Sequence, residues 1–176
     1  MDQAMRSALW NQFGSSIDML DHAIDACLDD LWKVRLWPVT VPNPELSEFW
    51  YIACHTLFWL DLYLSWAVEG FAPPGLFTLD ELDPAGLTPK RTYTKAELQA
   101  YLEYDRMKCR QTIESLTDEK ARQICKFQWG ELPFVELLLD NLRHVQEHTA
   151  QLSMILGQKI NFEPGWTTTL KGLDVK

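Results

Sequence analysis

Apolar residues recur at three- and four-residue steps through four long stretches of the chain, and no stretch alternates convincingly with period two. In the first, residues 3–34, Ala4, Leu9, Phe13, Ile17, Leu20, Ile24, Cys27, Leu28 and Leu31 fall on one helical face. Trp37-Pro38 closes it, and Pro42 and Pro44 predict an extended connector. The second, residues 44–70, is almost continuously apolar. It starts on Pro44-Glu45, which suit a first helical turn, and stops at Gly70 before Pro73-Pro74. The third opens on Thr94-Lys95-Ala96-Glu97, a capping box whose hydroxyl and carboxylate satisfy otherwise orphaned backbone N–H groups. Leu98, Tyr101, Leu102, Asp105, Cys109, Ile113 and Leu116 mark its inward face. The fourth, residues 131–156, places Pro133 in its first turn and Gly157 at its end.

The intervals between these stretches shape the expected fold. Residues 71–93, rich in Pro, Gly and Leu, exceed an ordinary bundle loop and are long enough to run from one end of a bundle to the other. Such a crossover allows the second and third helices to lie parallel. Residues 117–130 are also long, with room for a short helical turn over 118–123. The expectation is an all-α four-helix bundle with long connections. It forms one domain of core 1–157 and irregular tail 158–176, without internal repeats.

The run from Phe49 to Val68 has the roughly 20-residue length of a membrane span. It holds His55 and Asp61, however, and acidic Glu45, Glu48 and Glu69 flank it. Charge at bilayer depth is costly and no basic flank orients the segment, so a helix packed on several sides accounts for it better.

Composition narrows the partners. The net charge of −9 and a pI near 4.8 repel phosphate backbones and anionic headgroups, leaving a small-molecule substrate as the expected partner and nucleic acid and membrane surfaces as poor ones. Cys27, Cys54, Cys109 and Cys125 include no C-x-x-C pair, and no signal peptide is legible, so buried thiols in a reducing cytoplasm are expected.

Four histidines are present, and their placement carries the chemistry. His144 and His148 are four apart on the fourth helix, which puts them on adjacent turns of one side. A four-residue gap arises by accident in roughly 7% of chains with four histidines, so spacing alone is weak. Placement strengthens it. Phe134, Leu137, Leu138, Val145, Leu152, Ile155 and Leu156 form the apolar stripe, with His148 and Asn141 inside it and His144 at its edge. Unpartnered imidazoles turned toward a core cost roughly 1–3 kcal/mol each, and a shared metal ion would partner both. His55 lies on the most apolar helix, flanked by Ile52, Trp59 and Trp66 on its own face. Three neutral imidazoles from two helices make a divalent-metal site with open positions. His22 points away from the apolar face of the first helix, and Asp140, one turn before His144, is a candidate to orient that ring.

Two other metal patterns fail. His144-Val145-Gln146-Glu147-His148 matches the H-x-x-E-H string of a peptidase class, but Glu147 turns outward toward Arg143, and too little chain follows for such a fold. Di-iron bundles need Glu-x-x-His on two helices, and positions 52, 141 and 145 are Ile, Asn and Val.

With His55 mid-way along the second helix, the block Trp129-Gly130-Glu131-Leu132-Pro133-Phe134 followed by Asn141, His144, His148, Gln151, Leu152 and Leu156 resembles the DinB/YfiT-like superfamily over about residues 1–157. That resemblance implies an up-down-down-up bundle, often dimeric, with zinc or nickel on His55, His144 and His148. Its better-known members transfer low-molecular-weight thiols such as bacillithiol or mycothiol onto electrophiles. The expected chemistry is therefore a metal-activated thiolate attacking an electrophile, with Trp59, Trp66, Phe127 or Trp129 as walls for its apolar part. A metal-dependent hydrolase and a non-catalytic metal- or ligand-binding bundle stay open as alternatives.

Overall fold

The structure is a computed structural model that describes residues 1–38 and 43–167. The expectations for Pro42 and for tail residues 168–176 lie outside the described residues. Four long helices form the body: α1 (Gln3–Ala26), α2 (Phe49–Leu64), α3 (Lys95–Glu114) and α5 (Phe134–Ile160), with a short α4 (Asp118–Arg122) where a helical turn is predicted. The molecule is mostly helical, as expected of an all-α fold. No helix among the described residues is long and apolar enough to cross a membrane.

The first helix ends at Ala26, well short of residue 34. Chain 32–36 instead runs beside the start of α2. The Trp32 and Val34 carbonyls accept from the backbone N–H groups of Trp50 and Phe49, and the Ser47 carbonyl accepts from Leu36. A helix N-terminus leaves its first N–H groups without intrahelical partners, and this segment supplies two of them. At the other end α2 stops at Leu64 rather than Gly70. The Lys108 ammonium takes the Asp61 carboxylate, the Asp61 carbonyl at 3.0 Å and the Ser65 hydroxyl at 2.6 Å, and so holds the last turn closed.

Residues 124–133 form a hairpin where no strand is expected. Strands β1 (Ile124–Phe127) and β2 (Gly130–Pro133) pair antiparallel, with Phe127 opposite Gly130 across the two-residue turn Gln128-Trp129. Glu131 and Pro133 therefore belong to β2 and not to a first helical turn, and α5 follows directly from Pro133. Gly157 does not end that helix. The helix continues to Ile160 and stops at Asn161, whose φ of 55° puts it in the left-handed region, and Phe162 then packs back on the core.

Helices α1 and α2 each pack against α3 and α5. Named contacts fix the pairings. Lys95 at the start of α3 donates to the carbonyls of Asp25 and Cys27 at the end of α1, and Arg106 pairs with Asp18. Asn141 of α5 donates to the Leu60 carbonyl of α2 at 3.1 Å, and Ser16 of α1 donates to Gln146 of α5. Phe13, Trp50, Tyr101 and Phe134 fill the centre, each burial of this kind being worth about 1.5–3 kcal/mol or more. All four cysteines are free and buried, and burial pushes the Cys27 thiol up to about 12.

The capping box of α3 forms as predicted: the Glu97 N–H donates to the Thr94 hydroxyl and the Thr94 N–H to the Glu97 carboxylate. Thr94→Ala should lower stability by about 1 kcal/mol in urea unfolding at pH 7. An unchanged midpoint would show the cap to be idle.

Candidate metal centre

Every residue of α2 is buried except His55 and Trp59, one turn apart on the side that opens to solvent. An almost wholly apolar helix thus exposes one imidazole and one indole. Across from them α5 carries His144 and His148. Asn141, one turn before His144, is fully buried and bonded to α2, which sets the register between the two helices at the level of the site.

The three predicted histidines converge. One ring nitrogen from each lies within 4.8 Å of the others, and the His55 and His144 Nε2 atoms are 3.3 Å apart. His55 Nδ1 sits 2.8 Å from the Glu81 carboxylate, so this nitrogen carries the proton and Nε2 presents a lone pair. His148 Nδ1 is likewise 2.8 Å from the Gln151 side-chain oxygen, which turns its Nε2 free. His144 Nδ1 is buried without a partner. Lone pairs aimed at one point repel unless a cation or proton lies between them. Two nitrogens bonded to one tetrahedral ion at about 2.0–2.1 Å would stand roughly 3.3–3.4 Å apart, so the donor set fits a divalent metal.

Electrostatics agree with that reading. Burial, then the neighbouring His55 and His148, push His144 down to about 2, and burial also lowers His148 despite its bond to Gln151. Neutral imidazole is the ligating form. Glu81 moves the other way for a buried acid. Burial opposes its charge, but the hydrogen bond and charge interaction with His55, then hydrogen bonds from Tyr51 and Trp59, outweigh burial and hold the carboxyl below its usual range.

Glu81 went unrecognised in the sequence. It comes from a single 3-10 turn, Asp80–Leu82, inside the long connection 71–93, and accepts from both residues that α2 exposes: His55 at 2.8 Å and the Trp59 indole at 3.1 Å. No spacing links an acid in a loop to a histidine 26 positions earlier. Gln151 lies one turn beyond His148, a position that could have been read for this role.

Other expectations fail. Asp140 pairs with Arg143 at 3.1 Å and does not orient His144, whose Nδ1 has no partner; Arg143 accordingly turns to Asp140 and not to Glu147. Trp66 is no wall of the site, because it packs edge-on against Phe134 with the Lys120 ammonium over its ring. Trp59, Phe127 and Trp129 do line a cleft of about 340 Å³ beside the centre. A second pocket of about 340 Å³, walled by Trp37, Leu46, Tyr51, Ile52 and Leu87, opens directly on His55 and His148. Glu81 borders both.

Comparison with curated proteins gives no match, and comparison with solved structures gives none either. Among protein families, the DinB superfamily matches residues 12–152, a span that contains all three histidines, Glu81, Asn141 and Gln151. That match covers well over half of the chain, and with a mostly helical fold and a three-histidine cluster between two of its helices, this chain belongs to the DinB superfamily.

Proposed function

We propose that this protein is a metal-dependent enzyme in which His55, His144 and His148 hold a divalent transition metal, zinc or nickel, and that it transfers a low-molecular-weight thiol onto a small electrophile. The observation that carries the reading is the convergence of three imidazoles from two helices, two of them turned by Glu81 and Gln151 so that their free nitrogens meet. The contacts of Lys95 with the end of α1, of Trp50 with Tyr93 at the starts of α2 and α3 and Asp61 with Lys108 further along both, and of Asn141 with Leu60 support an up-down-down-up arrangement of the four long helices.

A divalent metal there would act as a Lewis acid and lower the pKa of a thiol or water placed against it. The chain's own residues do the rest. Glu81 fixes the tautomer and direction of His55 and strengthens it as a donor. Apolar side chains surround the pocket at His55 and His148, whose volume suits a small molecule. Asp80 and Glu81 are the charged residues of that pocket, and no Lys or Arg is among the described residues that line it. A thiol without carboxylates therefore suits it better than an acidic one.

The test pairs metal content with turnover. Purified protein should carry close to one equivalent of metal and conjugate a thiol to monochlorobimane. Full metal loading with no turnover across a panel of acidic and uncharged thiols would sink the transferase reading and favour a hydrolase. Glu81→Ala should weaken metal affinity about 10–100-fold in a chelator competition while leaving the far-UV spectrum unchanged. An unaltered affinity would remove Glu81 from the centre. Light scattering on the same preparation tests the homodimer that accompanies this reading.

A further inference from the structure

The cleft beside the centre has a composition that the proposed chemistry does not use. Trp59 of α2 and Phe127 and Trp129 of the hairpin form its aromatic side. Phe127 and Trp129 are stacked within 3° of parallel with centroids 5.4 Å apart, and Tyr63 closes edge-on against both. The hairpin thus holds its two rings in a fixed pair, although Trp129 is 52% exposed at the tip. Facing them are two carboxylates, Glu81 and Asp83, from the 3-10 turn and the residue after it.

No Lys or Arg is among the described residues lining this cleft. The nearest basic residue along the hairpin, Lys126, is paired with Glu131 at 3.0 Å. The Glu81 side chain is only 9% exposed; its Oε2 serves His55 and Trp59, and the Tyr51 hydroxyl is a further donor to the carboxylate. An aromatic wall attracts positive charge through the ring quadrupole, and two carboxylates add to it. Neutral apolar molecules would gain from the rings alone and anions would be repelled.

We infer that the cleft between the hairpin and α2 is a binding subsite for a small organic cation, an alkylammonium group seated on Trp59, Phe127 and Trp129 and facing Glu81 and Asp83. Because Glu81 also holds His55, the cation lies one carboxylate away from the metal centre. The inference rests on the metal reading only in naming the cation as part of that centre's substrate. The subsite itself stands without metal.

The experiment is titration calorimetry on the full chain with choline and with 3,3-dimethyl-1-butanol, which has the same shape without the charge. Choline should bind at least about tenfold more tightly than the alcohol, with an affinity that falls as salt is raised. Trp129→Leu and Asp83→Asn, both at exposed positions, should each weaken choline about fivefold or more. Chelator-stripped protein should bind choline with the same affinity, so that loss of the metal reading and loss of this one are told apart. Equal affinity for the two probes, absence of choline binding, or choline binding untouched by both substitutions would overturn the proposal.

Discussion

His144→Ala protein is expected to purify without stoichiometric metal, and its affinity for added Zn²⁺ should fall by more than about 100-fold. The reason is geometric. His144 Nε2 stands 3.3 Å from His55 Nε2, and its own Nδ1 has no partner that would let the ring serve any other purpose. Removal leaves two donors where at least three protein ligands are the rule for a tight site. The decisive readout is the stability that metal confers rather than absolute stability, because deleting a half-buried ring also leaves a void. Metal at 100 times Kd adds about 2.7 kcal/mol, or roughly 5–10 °C in a chain of this length. Wild-type protein should show that increment on zinc addition and His144→Ala almost none. Equal increments in both would show that the zinc sits elsewhere.

Asp105→Asn should stabilise the protein at pH 7–8 by about 1–3 kcal/mol and flatten its stability profile between pH 4 and 8. Asp105 is fully buried in α3 with neither oxygen hydrogen-bonded. Burial first, then the Asp61 carboxylate, raise its pKa well above the ordinary value, and Lys108 offsets this only in part. The sign follows directly. The native state holds a proton that the unfolded chain gives up once pH passes the usual carboxylate range near 4, so native stability falls as pH rises from there toward the raised native value. An amide of the same shape has no charge to suppress. Asp61 is raised for the same leading reason, held back by Lys108 and Tyr101, so the flattening should be partial. Urea unfolding across the pH range measures it, and a variant less stable than wild type at pH 8 would contradict the account.

The long helices and the three histidines were legible because both signals are local. Apolar residues at helical spacing name a buried face whatever the partner, and an i, i+4 pair inside that face has to meet something. What escaped reading depends on contacts between distant segments. Leu28 and Leu31 continue the spacing of α1, yet Leu28 ends up half exposed because chain 32–36 is pulled away to cap α2. Four-residue strands are too short for a period to declare itself, so β1 read as part of the connection 117–130 and most of β2 as the beginning of α5. Glu81 is an acid in a loop until the fold lays that loop across α2. Gly157 looked like a stop and is a helix interior residue, because Asn161 supplies the left-handed turn four positions later.

The near-complete enclosure of α2 limits how this protein can change. Apart from one imidazole and one indole, its side chains are committed to holding the bundle together, so a new preference cannot be written into that helix without loosening the fold. Adaptation has to come from the exposed positions of the two appendages laid over it, residues 83–87 of the connection 71–93 and the hairpin tip. A library confined to those two segments should therefore yield altered selectivity at undiminished melting temperature, whereas one spread over α2 should yield chiefly misfolded chains.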